Sequence, residues 1–258
     1  MIVGEQKPFD EIKAMIADYE KVLVLGCGTC VTVCFAGGEK EVGILASSLR
    51  MATKLDGQNP ALSVAEGKEI VEATVQRQCE YEYNDEVAEQ IKEADVVLSL
   101  ACGIGVQTMN EQFSEKITLP GLNTTFLGQP TEQGIWAERC QACGNCVLAL
   151  TGGICPVARC SKSLLNGPCG GSQNGLCEVK RVKMEGGKPV TTVNKRGKEV
   201  PVMEEIECAW HLIYERLEAL GKLDLILASE IQPVKDWTSS RHGGPRKIVR
   251  EDLRLETK

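Results

Sequence analysis

At 258 residues and 43% hydrophobic content, the chain can build one large domain or two smaller ones around buried cores, which excludes disorder as the default. Thirteen cysteines, an odd number, exclude complete disulfide pairing within the chain, so the thiols answer another demand. A net charge of −7 excludes a nucleic-acid binder working through clustered Lys and Arg, and no apolar run reaches the roughly 20 residues of a membrane span.

Met1 to Glu20 reads as a charged amphipathic segment without the basic start and apolar run of a secretory signal. A reducing cytoplasm is therefore the expected location, and there clustered cysteines serve as metal ligands rather than disulfides. The charge is uneven. Residues 1–139 carry 11 basic and 22 acidic side chains and residues 140–258 carry 18 and 14, so the halves stand at −11 and +4. This split supports a two-part organisation with a basic docking surface in the second part.

Lys21–Leu25 is an apolar strand that runs into Gly26-Cys27-Gly28-Thr29-Cys30, with Cys34 just beyond. Val42, Leu45, Leu49 and Ala52 then recur at helical spacing up to Gly57. A second unit is expected as a strand over Glu72–Gln78 ending at Cys79, with a helix over Asp85–Glu93. A third has a strand over Asp95–Leu100, then Cys102, and a helix that includes Val106–Phe113. Alternation of this kind specifies a parallel α/β sheet, Rossmann-like, whose sites lie at the carboxyl ends of the strands. The five thiols Cys27, Cys30, Cys34, Cys79 and Cys102 all sit there. A [4Fe–4S] site needs four thiolates, so one is spare. Gly26-x-Gly28 resembles the opening of a dinucleotide fingerprint, but Val31 stands where the third glycine belongs and the match fails.

From Cys140 to Cys177 periodicity disappears, and seven cysteines share 38 residues with glycine, proline and asparagine. Cys140-x2-Cys143-x2-Cys146 spaces three thiolates to wrap one face of a [4Fe–4S] cube, as ferredoxins do. Cys155 precedes Pro156 at a longer spacing than the ferredoxin pattern, and Cys160, Cys169 and Cys177 are further choices for the fourth ligand. Zinc, which also takes four thiolates, is the competing occupant. Cys208 and His211 lie three apart on a helix expected over Glu204–Leu220, where Ile206, Trp210, Ile213, Leu217 and Leu220 line one side, and packing explains them. Before that helix, Glu178–Lys183 and Pro189–Asn194 read as a hairpin. The segment after Lys222 is expected as an extended arm. The expected domains are thus 1–132, a Rossmann-like α/β domain; 133–180, a cysteine-rich iron–sulfur module; and 181–258, a hairpin, helix and partner-binding arm.

The string Gly153-Ile154-Cys155-Pro156-Val157-Ala158-Arg159-Cys160-Ser161-Lys162 is followed by Asn166-Gly167-Pro168-Cys169-Gly170-Gly171 and Cys177-Glu178-Val179. Together they resemble the MetV family, also described as the methylenetetrahydrofolate reductase C-terminal domain. Gly26-Cys27-Gly28-Thr29-Cys30 with Cys34 and Gly37-Gly38-Glu39, and Leu100-Ala101-Cys102-Gly103, are similar to the same family, so the resemblance spans about residues 20–220. It implies a cytoplasmic iron–sulfur subunit that relays electrons to the flavin of a MetF partner, which reduces methylene- to methyltetrahydrofolate in the methyl branch of the acetogenic Wood-Ljungdahl pathway. It further implies an upstream donor, whether ferredoxin, a heterodisulfide-reductase-like module or an NADH-oxidising subunit. On this expectation the chain holds two [4Fe–4S] clusters and no flavin of its own, with a third cluster or a zinc ion as the alternative count. The rival function is a zinc-stapled assembly subunit that stabilises the flavoprotein without redox chemistry.

Overall fold

The computed structural model describes residues 1–57, 68–165, 167–185 and 188–227. Its contacts divide into two units, Met1–Glu138 and Arg139–Lys258.

Unit 1 begins with β1 (Ile2–Gln6), α1 (Phe9–Met15) and β2 (Lys21–Cys27), then the single turn α2 (Cys30–Val33) and the long α3 (Glu39–Gly57). β3 (Glu69–Val75), α4 (Tyr81–Asp85), α5 (Ala88–Glu93), β4 (Val96–Ser99), α6 (Gly103–Gln112) and β5 (Thr118–Pro120) follow. β6 (Leu122–Glu132) and β7 (Ile135–Cys140) come last. The expected α/β class holds: β3-β2-β4-β5 form a parallel sheet, with Leu23 beside Val71 and Val97 in register. β2 alternates as a doubly covered strand must. Val22 and Val24 pack with Val42, Leu45 and Leu49 of α3 on one face, while Leu23 and Leu25 pack with Ile91, Met109 and Phe113 on the other. The chain leaves β2 in one direction to β3 and returns past it to β4. The switch point of the sheet therefore lies between the carboxyl ends of β2 and β4. A second, antiparallel sheet, β1-β6-β7, was not foreseen from the charged start of the chain.

Two elements of unit 1 depart from expectation. β3 ends at Val75 rather than Gln78: the last bond between β2 and β3 runs from the Gly28 N–H to the Val75 carbonyl at 2.9 Å, and the chain then turns. The helix expected over Asp85–Glu93 is two short helices, parted at Val87, whose backbone leaves helical geometry (φ −117°) while its side chain is buried.

Unit 2 is built from short pieces: α7 (Pro156–Arg159), β8 (Ser172–Gln173), β9 (Leu176–Cys177), β10 (Arg181–Val182), β11 (Met184–Glu185), β12 (Lys188–Pro189), β13 (Thr191–Val193), β14 (Glu199–Pro201) and β15 (Met203–Glu204). α8 (Ala209–Ala219) and the single turn α9 (Asp224–Leu227) complete it. Part of the expected hairpin is present, with Met184 paired to Pro189 and Glu185 to Lys188, but the flanks pair elsewhere, β10 with β15 and β13 with β14. Those pairings take up residues to Glu204, so α8 starts at Ala209 rather than Glu204. Trp210, Ile213 and Leu217 are its buried face, joined by Leu150, Ile154, Leu164, Leu225 and Ile226. The arm therefore starts packed, and 228–258 lies outside the described residues. No described helix is long and apolar enough to cross a membrane.

The tightest backbone approach in unit 1 is at Gly37, where a Cβ would overlap the Leu100 carbonyl oxygen at the end of β4. Gly37→Ala should therefore cost about 2–4 kcal/mol in urea unfolding followed by circular dichroism. A wild-type midpoint would mean the loop yields and the approach constrains nothing.

Candidate metal centre

The thiols of unit 1 are placed by strand ends. Cys27 closes β2, Cys79 lies in the turn after β3, and Cys102 caps α6 after β4; Cys30 opens α2 and Cys34 closes it. Cys27 Sγ lies 3.7 Å from Thr29 Oγ1 and donates to the Gln76 carbonyl at 3.9 Å. Cys79 is exposed as a residue, but partial desolvation of its sulfur pushes the thiol up, and neighbouring Cys27 and Cys102 push the same way. A thiolate here therefore suffers both desolvation and like charge, the two costs that a bound cationic group removes.

Cys34 faces elsewhere. It is buried, and its sulfur accepts from Gly4 N at 3.5 Å and approaches the carbonyls of Gly4 (3.6 Å) and Val31 (3.5 Å). Burial also holds this thiol above its ordinary value.

In unit 2 the spacing of the triplet is matched by backbone conformation. Ala142 (φ 49°) and Gly144 (φ 90°) are both left-handed, one between each pair of cysteines. This turn lets the Ala142 N–H point at Cys140 Sγ, 3.3 Å away. Cys155 and Cys160 flank α7, which Pro156 starts at its first position, where a missing N–H costs nothing. Asn174 (φ 51°) and Gly175 (φ 78°) turn the β8–β9 hairpin and carry Cys177 back beside Ser172. Lys162 Nζ lies 3.6 Å from Cys169 Sγ and also pairs with Glu178, which holds the lysine above and the carboxyl below their ordinary values. Cys208 caps α8 and packs against the Trp210 cluster, while His211, partly exposed, lies 3.2 Å from Glu215 one turn on.

Among the described residues no three His, Cys, Asp or Glu side chains are gathered closely enough to hold a metal ion. The donor chemistry nonetheless suits an iron–sulfur group. The candidate ligands are all thiols, one accepts a backbone N–H and another lies against a lysine, as sulfur carrying cluster charge requires. Residues 119–186 match the family described as Methylene-tetrahydrofolate reductase C terminal. This segment is about a quarter of the chain and contains all seven cysteines from Cys140 to Cys177. No curated protein and no solved structure matches the chain.

Because Cys34 is packed against β1, Cys34→Ser should leave the metal content per chain unchanged, whereas Cys79→Ser should lower it. Equal loss in the two variants would show that Cys34 leaves its packed position to ligate.

Proposed function

We propose that this chain is the iron–sulfur electron-transfer subunit of a methylenetetrahydrofolate reductase, passing electrons to the flavin of a MetF-like partner. The observation that carries the reading is the coincidence of the matched reductase segment with the seven-cysteine run. In unit 1, Cys27, Cys30, Cys79 and Cys102 are the proposed ligands of one [4Fe–4S] cluster. In unit 2, Cys140, Cys143 and Cys146 with one of Cys155, Cys160, Cys169 or Cys177 hold another. A bound cluster of this type supplies reversible one-electron transfer. The chain's own residues do the rest. The thiolates bind, the Ala142 N–H orients Cys140, and the Lys162 ammonium offsets negative charge at Cys169.

Docking is assigned to the β13–β14 hairpin. Lys180, Arg181 and Lys183 pair with Glu205, Glu204 and Glu185, so the basic character of the segment is partly spent within it. The tip differs. Asn194 Oδ1 accepts from the N–H groups of Arg196 (2.9 Å) and Lys198 (3.0 Å), which fixes a turn that presents Lys195, Arg196 and Lys198 to solvent. Cations on a preformed turn steer an acidic partner at little ordering cost.

Anaerobically purified chain should be brown, carry about eight iron atoms and no flavin, and reduce methylenetetrahydrofolate only when the flavoprotein is added. Cys143→Ala should remove one cluster signal and spare the other. Stoichiometric zinc with negligible iron overturns the proposal. Lys195→Glu with Lys198→Glu should slow association with the flavoprotein about tenfold at low salt and less at high salt; a rate equal to wild type at both would return the hairpin to the solvent.

A further inference from the structure

Gln78 is wholly buried, yet it lies in the turn between two exposed residues of β3's outlet, Gln76 and Cys79. Its amide is fully engaged. Nε2 donates to the carbonyls of Leu25 (2.9 Å) and Gly26 (3.0 Å) at the end of β2, and Oε1 accepts from Ser99 Oγ (2.6 Å) at the end of β4. Ser99 Oγ accepts in turn from Ala101 N at 3.2 Å. The Gln78 carbonyl is held by Asn84 Nδ2 (3.1 Å), which also donates to Gln112 Oε1 (2.9 Å) on α6.

The gripped residues share a property that packing alone does not require. Gly26 immediately precedes Cys27, Gln78 precedes Cys79, and Ala101 precedes Cys102. A single neutral side chain thus ties together the three backbone segments from which three neighbouring thiols project. Leu25 O already accepts Leu100 N at 2.8 Å across the ladder, so the amide adds a second bond to a carbonyl the sheet has satisfied and a further one to Gly26. Neutrality matters too. A carboxylate in place of the amide would set lone pairs against the two carbonyls that the amide now serves, at a buried position.

We propose that Gln78 is a positioning residue that holds together the three backbone ends carrying Cys27, Cys79 and Cys102, so that their thiols can converge on a shared ligand when it binds. As a statement about metal this rests on the iron–sulfur reading above; as a statement about thiol proximity it stands without it.

The test uses the full chain, stripped of metal, with phenylarsine oxide, which bridges two thiols only when they are close, and peptide mapping of the arsenical within residues 1–138. Wild-type chain should capture it across a pair among Cys27, Cys79 and Cys102. Gln78→Met, nearly isosteric but unable to make the three bonds, should slow capture about tenfold, the cost of a buried hydrogen-bond set lost; Ser99→Ala should slow it less. In metal-loaded chain, Gln78→Met should lose the unit 1 cluster signal while the signal abolished by Cys143→Ala persists as an internal control. Unchanged capture in folded Gln78→Met, even with a lowered melting temperature, overturns the proposal and leaves Gln78 an ordinary core residue. If Gln78→Met fails to fold, Ser99→Ala decides by the same readout, since wild-type capture there refutes the clamp. Slowed capture in variants of a chain whose residues 1–138 bind no iron would keep the clamp and sink the cluster.

Discussion

At the carboxyl end of a parallel sheet the strands part and their ends must be tied by something other than the ladder; in this protein the amide of Gln78 does so, donating to Leu25 O and Gly26 O at 2.9 and 3.0 Å. Much else in unit 1 follows from how those strand ends are closed. β3 must stop at Val75 so that the chain can turn and send Gln78 inward. Ser99, wholly buried on β4, is polar because it hydrogen-bonds the amide from the other side. The three ends tied in this way belong to neighbouring strands, and each is followed by a cysteine, Cys27, Cys79 or Cys102, at the carboxyl edge of the sheet.

Unit 2 meets the same requirement by different means. Its largest buried side chains are gathered on one face of α8, around Trp210, whose Nε1 donates to Leu164 O at 3.0 Å. The cysteine loops have little of this core and are shaped locally instead: left-handed Ala142 and Gly144 in the triplet, Pro156 at the start of α7, and Asn174-Gly175 before Cys177. A segment held mainly by turns gains stability from cross-links. On the proposed reading the metal supplies them, which couples folding of the segment to metal uptake. Unit 1, with its doubly covered sheet, has a scaffold before any ligand arrives.

What the sequence disclosed divides along the same line. The continuous apolar run Val22–Leu25, the alternation of such strands with helical segments, and the i, i+3, i+7 run from Val42 to Leu49 are local signals, and they identified the parallel α/β architecture and placed α3 correctly. The β1-β6-β7 sheet escaped because its pairing joins Ile2 to Leu127, a contact no window can see, and because Glu5 and Gln6 disguise the strand. The β13–β14 hairpin is local, Val193 with Glu199, and escaped because Pro189–Asn194 reads as the partner of Glu178–Lys183; β15 after it displaces the start of α8. The cysteines were visible as candidates by composition and spacing. The role of Gln78 was not, since a glutamine after a strand ordinarily faces water, and only the strand order brings Leu25, Gly26 and Ser99 around it. Nor could spacing single out Cys34, whose sulfur is turned to β1 by the short α2.

The failed dinucleotide match at Gly26-x-Gly28 has a structural cause in the same region. A Cβ on Gly26 would lie 2.6 Å from Thr74 Oγ1 and 2.7 Å from Val42 Cγ2, so this glycine is required by the close approach of α3 and β3 to β2. A Cβ on Gly28 would meet nothing nearer than 3.5 Å, an ordinary contact. The third position holds Val31, buried in the core on α2, and the long helix begins only at Glu39. In a dinucleotide fold the glycine loop runs straight into a helix whose N-terminus receives the pyrophosphate. Here a separate turn of helix and the left-handed Phe35 intervene, and that insertion carries Cys30 and Cys34. The shared glycine reflects a strand and helix packed close together, a demand common to both folds, while the inserted turn parts the glycine loop from the long helix whose N-terminus would face a pyrophosphate.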